Sequence, residues 1–188
     1  RNVSSFFILA LIFGTTKIKI MKFFQIIITA VFLFVGFNAT AQPLKAGTES
    51  TYKASNEGWL VNIQEANVLS SKTGKPIMAN FTGSDWCGWC KKLKREVFVT
   101  PEFKKWAQEN VILLECDYPR SFQLPSEIAQ QNSQLQQALG IQGYPTICFI
   151  TLTNNDQGQI SINQIGRMGY VAGGPTPWIN EANKFVTK

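Results

Sequence analysis

The chain has 188 residues, 45% of them hydrophobic, four cysteines, no histidine and a formal net charge of +6. The missing histidine excludes histidine-activated nucleophiles and every histidine-bearing zinc site. Four cysteines are too few for a disulfide-stapled miniprotein.

Residues 1–20 begin with Arg1 and are expected to be an upstream, non-native extension, with Met21 as the start. Residues 21–41 have the plan of a secretory signal peptide: Met21 and Lys22, an apolar run over 23–37, then Ala39-Thr40-Ala41. Cleavage is expected after Ala41, and the apolar run is shorter than the roughly 20 residues of a spanning helix. The mature chain, from Gln42, is then expected in the periplasm or outside the cell with no stable membrane anchor. It keeps 14 Lys and Arg against 12 Asp and Glu, a net charge of +2, with no case for nucleic acid. Residues 42–57 read as a flexible lead-in and 58–188 as one domain, expected to be a monomer.

Apolar spacing predicts a helix over 59–68 (WLVNIQEANV) and a turn over 70–76. Residues 77–82 (IMANFT) read as a buried strand, broken by Gly83, Ser84 and Asp85. A helix is expected over 87–97, with Cys90, Leu93 and Val97 on one face. Thr100, Pro101 and Glu102 open another that runs to about Glu109. The apolar run 111–116 (VILLEC) predicts a central strand. A proline-bearing loop over 117–125 leads to a helix over 126–139 that ends at Gly140 and turns Ile128, Leu135 and Leu139 inward. Strands are expected over 146–152 and 159–165, joined by a hairpin turn at 154–158. A loop over 166–174 and a helix over 178–186, capped by Thr176 and Pro177, complete the chain. Strands separated by helices imply a parallel core, to which the hairpin adds an antiparallel edge.

The chemistry concentrates in 84–91, SDWCGWCK. A C-x-x-C pair can be a redox couple, half of a zinc site or a structural staple. A redox dithiol needs two adjacent sulfurs, one of them exposed and acidic, and the start of a helix meets both demands. Cys87 is therefore expected at an exposed helix start, where it attacks, and Cys90 one turn inside, where it resolves. Without histidine, only Cys116 and Cys148 could complete a four-cysteine zinc site, and both sit in apolar strands.

The sequence resembles the thioredoxin-fold proteins, and among them the exported bacterial thioredoxin-like proteins whose motif runs FTGSDWCGWC. Phe81 to Cys90 has that sequence, KKLKREVF and TPEF follow it, and Tyr144-Pro145-Thr146 matches the family's proline loop. The resemblance extends over 59–188. It implies an α/β fold with a central mixed β-sheet flanked by helices, and a thiol–disulfide oxidoreductase that needs no cofactor or metal. In that enzyme Cys87 and Cys90 form a redox-active disulfide, and Pro145 is a cis proline whose loop pairs with a substrate backbone. Trp86, Gly88, Trp89 and Tyr144 would join Pro145 in binding substrate, with Trp89 on an apolar rim. The implied partners are cysteine-containing protein substrates and a separate protein that recycles the dithiol. The competing reading is a non-catalytic binding module or soft-metal chaperone, weakened by the lack of histidine or a nearby methionine, although Met168 follows the last strand.

The chain departs from thioredoxin itself at three places. Gly88-Trp89 stands where thioredoxin has Gly-Pro. Asn80 stands where it has a buried acid, and 111–114 holds no lysine to partner such an acid. Water, Asp85 and Glu115 all remain open as acceptors of the Cys90 proton. In this fold the strand containing Ala79 separates those of Cys116 and Cys148, and two strand spacings of about 4.8 Å exceed disulfide reach. Both cysteines are expected to be free and buried.

Overall fold

The computed structural model describes residues 52–154 and 160–186. Asn62 opens helix α1 (Ile63–Thr73) by accepting the backbone N–H groups of Gln64 and Glu65, and Gly74, at φ 71°, closes it. This helix starts later and runs further than the expected 59–68. Trp59 and Leu60 are apolar for another reason. Leu60 makes a parallel bridge to Leu114, its N–H donating to Leu113 O at 3.0 Å while its carbonyl accepts from Glu115 N at 2.8 Å.

Strand β1 (Ile77–Thr82) is buried along its whole length, as the apolar run implied. Helix α2 (Gly88–Leu93) follows, with Cys87 at its cap, and continues as a π-turn, Lys94–Phe98. Thr100 caps α3 (Pro101–Asn110), with Pro101 in its first turn. Strand β2 (Ile112–Asp117), helix α4 (Ser126–Ala138), strands β3 (Thr146–Asn154) and β4 (Ile160–Met168), helix α5 (Pro175–Ala182) and a short 3₁₀ turn (Asn183–Phe185) complete the order. The hairpin turn expected at 154–158 falls, beyond Asn154, outside the described residues. The final helix begins at Pro175 behind Gly174, three residues earlier than expected, and Thr176 and Pro177 lie inside its first turn.

The sheet order is β2-β1-β3-β4. Strand β1 runs parallel to β2 and antiparallel to β3, and β3 runs antiparallel to β4. This is the mixed sheet that the resemblance implied. One expectation is corrected: the 111–116 run is an edge strand. Its apolar character comes from the Leu60 segment lying along its outer edge and from burial of both faces, so a central position is not required.

Alternation along β1 divides the core. Ile77, Ala79 and Phe81 pack with Ile63, Ala66, Leu114, Cys116, Leu135, Cys148 and Ile150, under α1 and α4. On the other face Met78 joins Leu93, Val97, Phe98, Phe103, Trp106, Ile147, Phe149 and Trp178, under α2, α3 and α5. Trp178 is fully buried, with ring centroids of Phe98, Phe103 and Trp106 at 5.7, 5.5 and 6.0 Å.

This topology gathers the functional segments at one end of the sheet. The C-terminal ends of β1 and β2, the N-terminal end of β3 and the C-terminal end of β4 all lie there, as the pairs Thr82↔Asp117, Phe81↔Thr146 and Ile147↔Met168 show. The loops that follow or precede these ends surround the start of α2.

Candidate active site

The turn that leaves β1 sets the position of Cys87. Gly83 O accepts from Cys87 N at 2.8 Å and from Trp86 N at 3.3 Å. Asp117, 1% exposed at the end of β2, holds the turn from below. Its two carboxylate oxygens accept Ser84 N at 2.8 Å and Ser84 Oγ at 2.5 Å. An ionised or polar group at such depth needs its partners, and these bonds satisfy it. A side chain at Gly83 would place its Cβ 2.4 Å from the Trp86 ring, so only glycine allows this close approach.

Cys87 and Cys90 form a disulfide, with Cα atoms 5.2 Å apart. The N–H of Cys90 donates to Cys87 Sγ at 3.2 Å. Cys116 and Cys148 are free and fully buried, on the sheet face away from α2. They align with Phe81 and Ala79 of β1, which runs between their strands. Burial pushes both thiols above the ordinary cysteine range. Among the described residues, no three His, Cys, Asp or Glu side chains cluster as a metal site.

One sequence expectation about the pair is corrected. Cys87 was expected to be exposed and Cys90 buried, yet they are 5% and 6% exposed. As cap residue, Cys87 is tied back to Gly83 through its N–H, and its sulfur is bonded to Cys90. Exposure falls instead on Gly88 and on Trp89, the latter 58% exposed. The two cysteines differ by position, Cys87 before the helix and Cys90 one turn into it.

The remaining sequence candidates lie at the same end of the sheet as the disulfide. Tyr144-Pro145 is a cis peptide, half-buried at the N-terminal end of β3. Trp86 meets Tyr144 edge-on at 5.8 Å and donates its indole N–H to Tyr118 O at 2.8 Å. Tyr144 also packs on Tyr118 at 5.1 Å. On the other side Trp89 packs on Tyr170 at 5.3 Å, and the Tyr170 hydroxyl donates to Glu96 Oε2 at 2.6 Å.

Sequence reasoning missed Ser84, Asp117, Tyr118, Arg120, Lys92 and Tyr170. Arg120 lies over the Trp86 ring at 3.8 Å, and Lys92 Nζ lies 5.1 Å from the Trp89 ring and 5.0 Å from that of Tyr170. Ser84 and Lys92 lie beside the C-x-x-C pair in sequence, but the order β2-β1-β3-β4 is what brings Asp117, Tyr118, Arg120 and Tyr170 to it. The acids considered for proton transfer are both engaged. Asp85 accepts the N–H groups of Arg120 and Ser121, and hydrogen bonding, from Ser121 first, holds its carboxyl down to about 2. Glu115, 1% exposed, accepts from Ser55 N, Ser55 Oγ, Asn56 N and Asn56 Nδ2 at 2.6–3.2 Å. Burial nonetheless raises its carboxyl above the ordinary range.

Residues 63–166 match the thioredoxin-like domain family. The disulfide bond reductase DsbH of Chlamydia pneumoniae is 33% identical over 133 residues, covering 71% of this chain and 75% of the relative. The thioredoxin-related protein DsbJ of the same organism is 33% identical over 115 residues, covering 61% of this chain but only 32% of DsbJ. Among solved structures, a DsbH oxidoreductase superposes with a TM-score of 0.59 at 30% identity, covering 75% of this chain and 95% of that one.

Proposed function

The chain belongs to the thioredoxin-like family and to its thiol–disulfide oxidoreductases, and on that premise we propose that it exchanges the Cys87–Cys90 couple with cysteines of exported client proteins. The observation that carries this reading is the disulfide itself, formed at the start of α2 and ringed by the loops at one end of the sheet. In the reductive direction Cys87 thiolate attacks a client disulfide, one client sulfur leaves as a thiolate, and a mixed disulfide remains. Cys90 then loses its proton and attacks Cys87 Sγ. The second client thiol departs, and the Cys87–Cys90 bond closes. The N–H of Cys90, aimed at Cys87 Sγ, supports Cys87 as the attacking thiolate, because the same donor stabilises negative charge there.

The Tyr144-Pro145 loop pairs with the client backbone in this proposal, while Trp86, Gly88 and Trp89 frame the cysteine being exchanged. The printed name of the first relative, a disulfide bond reductase, supports reduction as the working direction. The signal-peptide pattern of 21–41 supports export. Among the described residues no helix is long and apolar enough to cross a membrane. We assign the return of electrons to a separate protein.

Insulin reduction tests the reading. With a small thiol as electron source, the protein from Gln42 onward should precipitate insulin B chain catalytically, and Cys87→Ser should not exceed the thiol alone. Stoichiometric binding of Cu(I) without turnover would identify a binding module instead.

A further inference from the structure

The two aromatic walls beside the disulfide come from opposite edges of the sheet. The loop after β2 supplies Tyr118 and Arg120 to Trp86, and the loop after β4 supplies Tyr170 to Trp89. Strands β1 and β3 are the inner pair, so the disulfide and the Tyr144-Pro145 loop lie between the walls. Each wall carries a cation on a ring face, Arg120 on Trp86 and Lys92 on Trp89 and Tyr170.

Charge at this end is unbalanced. Lys91, Lys92, Arg95 and Arg120 stand against Asp85, Glu96 and Asp117, the last buried and bonded to Ser84. The Asp85 carboxylate is turned to the N–H groups of Arg120 and Ser121. Glu96 is turned to Tyr170 and to Arg95, at 2.6 and 3.7 Å. Lys91 Nζ donates to Asp85 O at 2.7 Å. The ion pairs among the described residues are Arg95–Glu96 and Lys184–Glu181. Lys92 and Arg120 therefore flank the disulfide, and neither side chain forms an ion pair among the described residues; Arg120 is exposed and Lys92 half-exposed. Cations held on ring faces keep their N–H groups available for an incoming anion.

We propose that Lys92 and Arg120 select clients in which acidic side chains lie on both sides of the target cysteine, in an extended segment crossing between the Trp86 and Trp89 walls. This deepens the oxidoreductase reading and rests on it. Complementary charge at an exposed rim acts mainly on encounter rate and specificity. Two exposed ion pairs of ordinary strength correspond to about a fivefold preference.

The test uses two peptides, identical except that Glu or Lys flanks a single cysteine on both sides, each as its disulfide-linked dimer. The reduced protein is mixed with each in a single turnover. The dimer's S–S bond breaks, two peptide thiols form with the protons of Cys87 and Cys90, and the Cys87–Cys90 bond closes. In parallel, serine versions of both peptides are titrated onto the oxidised protein and read by tryptophan fluorescence. The Glu peptide should react about fivefold faster and bind more tightly than the Lys peptide. In about 1 M salt, where the Debye length shrinks to about 3 Å, the ratio should approach one. The ratio should also collapse in the K92Q/R120Q double variant and persist in K92R/R120K. A ratio near one in the native protein, a preference for Lys, or an undiminished ratio in K92Q/R120Q overturns the proposal. Failure to reduce either peptide counts against the oxidoreductase reading. The serine peptides then decide the surface alone, since equal binding rejects it and tighter Glu binding keeps it.

Discussion

Asn80 is 3% exposed, and its Oδ1 has no hydrogen-bond partner among the described residues. By the resemblance it stands where thioredoxin has a buried acid, while its register partner across β1 and β2 is a buried acid, Glu115. Because desolvation raises Glu115 above its ordinary value of 4.5, the folded protein holds a proton that the unfolded chain releases. That preference stabilises the fold fully below 4.5 and is lost as pH rises through the raised value. Glu115→Gln removes the titration. The native protein should lose denaturation midpoint relative to this variant as pH rises from below 4.5 to neutrality, whereas parallel profiles would show that Glu115 is not so shifted. At Gly83 the obstacle is the Trp86 ring. Gly83→Ala should cost about 1–3 kcal/mol in chemical denaturation, the range of an overpacked interior, and should change Trp86 fluorescence. The free thiols give a third prediction. Cys116 and Cys148 should resist alkylation in the reduced native protein and react only on unfolding, because both are fully buried with raised thiols.

At the scale of elements, local chemistry carried most of the reading. Thr100-Pro101 is a capping signal, and α3 begins there. The six-residue run IMANFT is a strand over the same bounds as expected. The misreadings have nonlocal causes. The helix expected from residue 59 rested on the spacing of Leu60 and Ile63, but Leu60 is apolar because it lies along β2. Strand β2 looked central because its edge is covered by that same distant segment. The segment before α1 therefore has structural duties: it closes an edge through Leu60 and satisfies Glu115 through Ser55 and Asn56. Leu60→Pro removes the N–H that bonds Leu113 O, at a cost of about 1–3 kcal/mol to the unsatisfied carbonyl and displaced segment. Urea denaturation measures that loss. An unchanged midpoint would mean that the bridge contributes nothing to stability.

Across the whole molecule, the candidate active site is an assembly of four loops at one end of the sheet, and its legibility in the sequence followed how local each part is. Cys87, Cys90, Trp86 and Trp89 lie within five residues of one another, and the proline loop was found only because it resembles a known family's. Arg120 and Tyr170 carried no signal, because only the order β2-β1-β3-β4 brings the loops of opposite edges to the same disulfide. The relative burial of the two sulfurs was not legible either, since it depends on the disulfide and the turn at Gly83. Export adds a prediction at this scale: N-terminal sequencing of the mature protein should begin at Gln42, and retention of 23–37 would contradict the proposed export. The central claim is that Cys87 attacks and Cys90 resolves, and trapping in the native compartment tests it most directly. Cys90→Ser should accumulate client proteins as mixed disulfides on Cys87, seen as reducible high-mass bands on non-reducing electrophoresis, while Cys87→Ser should trap far fewer. Equal trapping by the two variants, or none by either, would contradict that assignment.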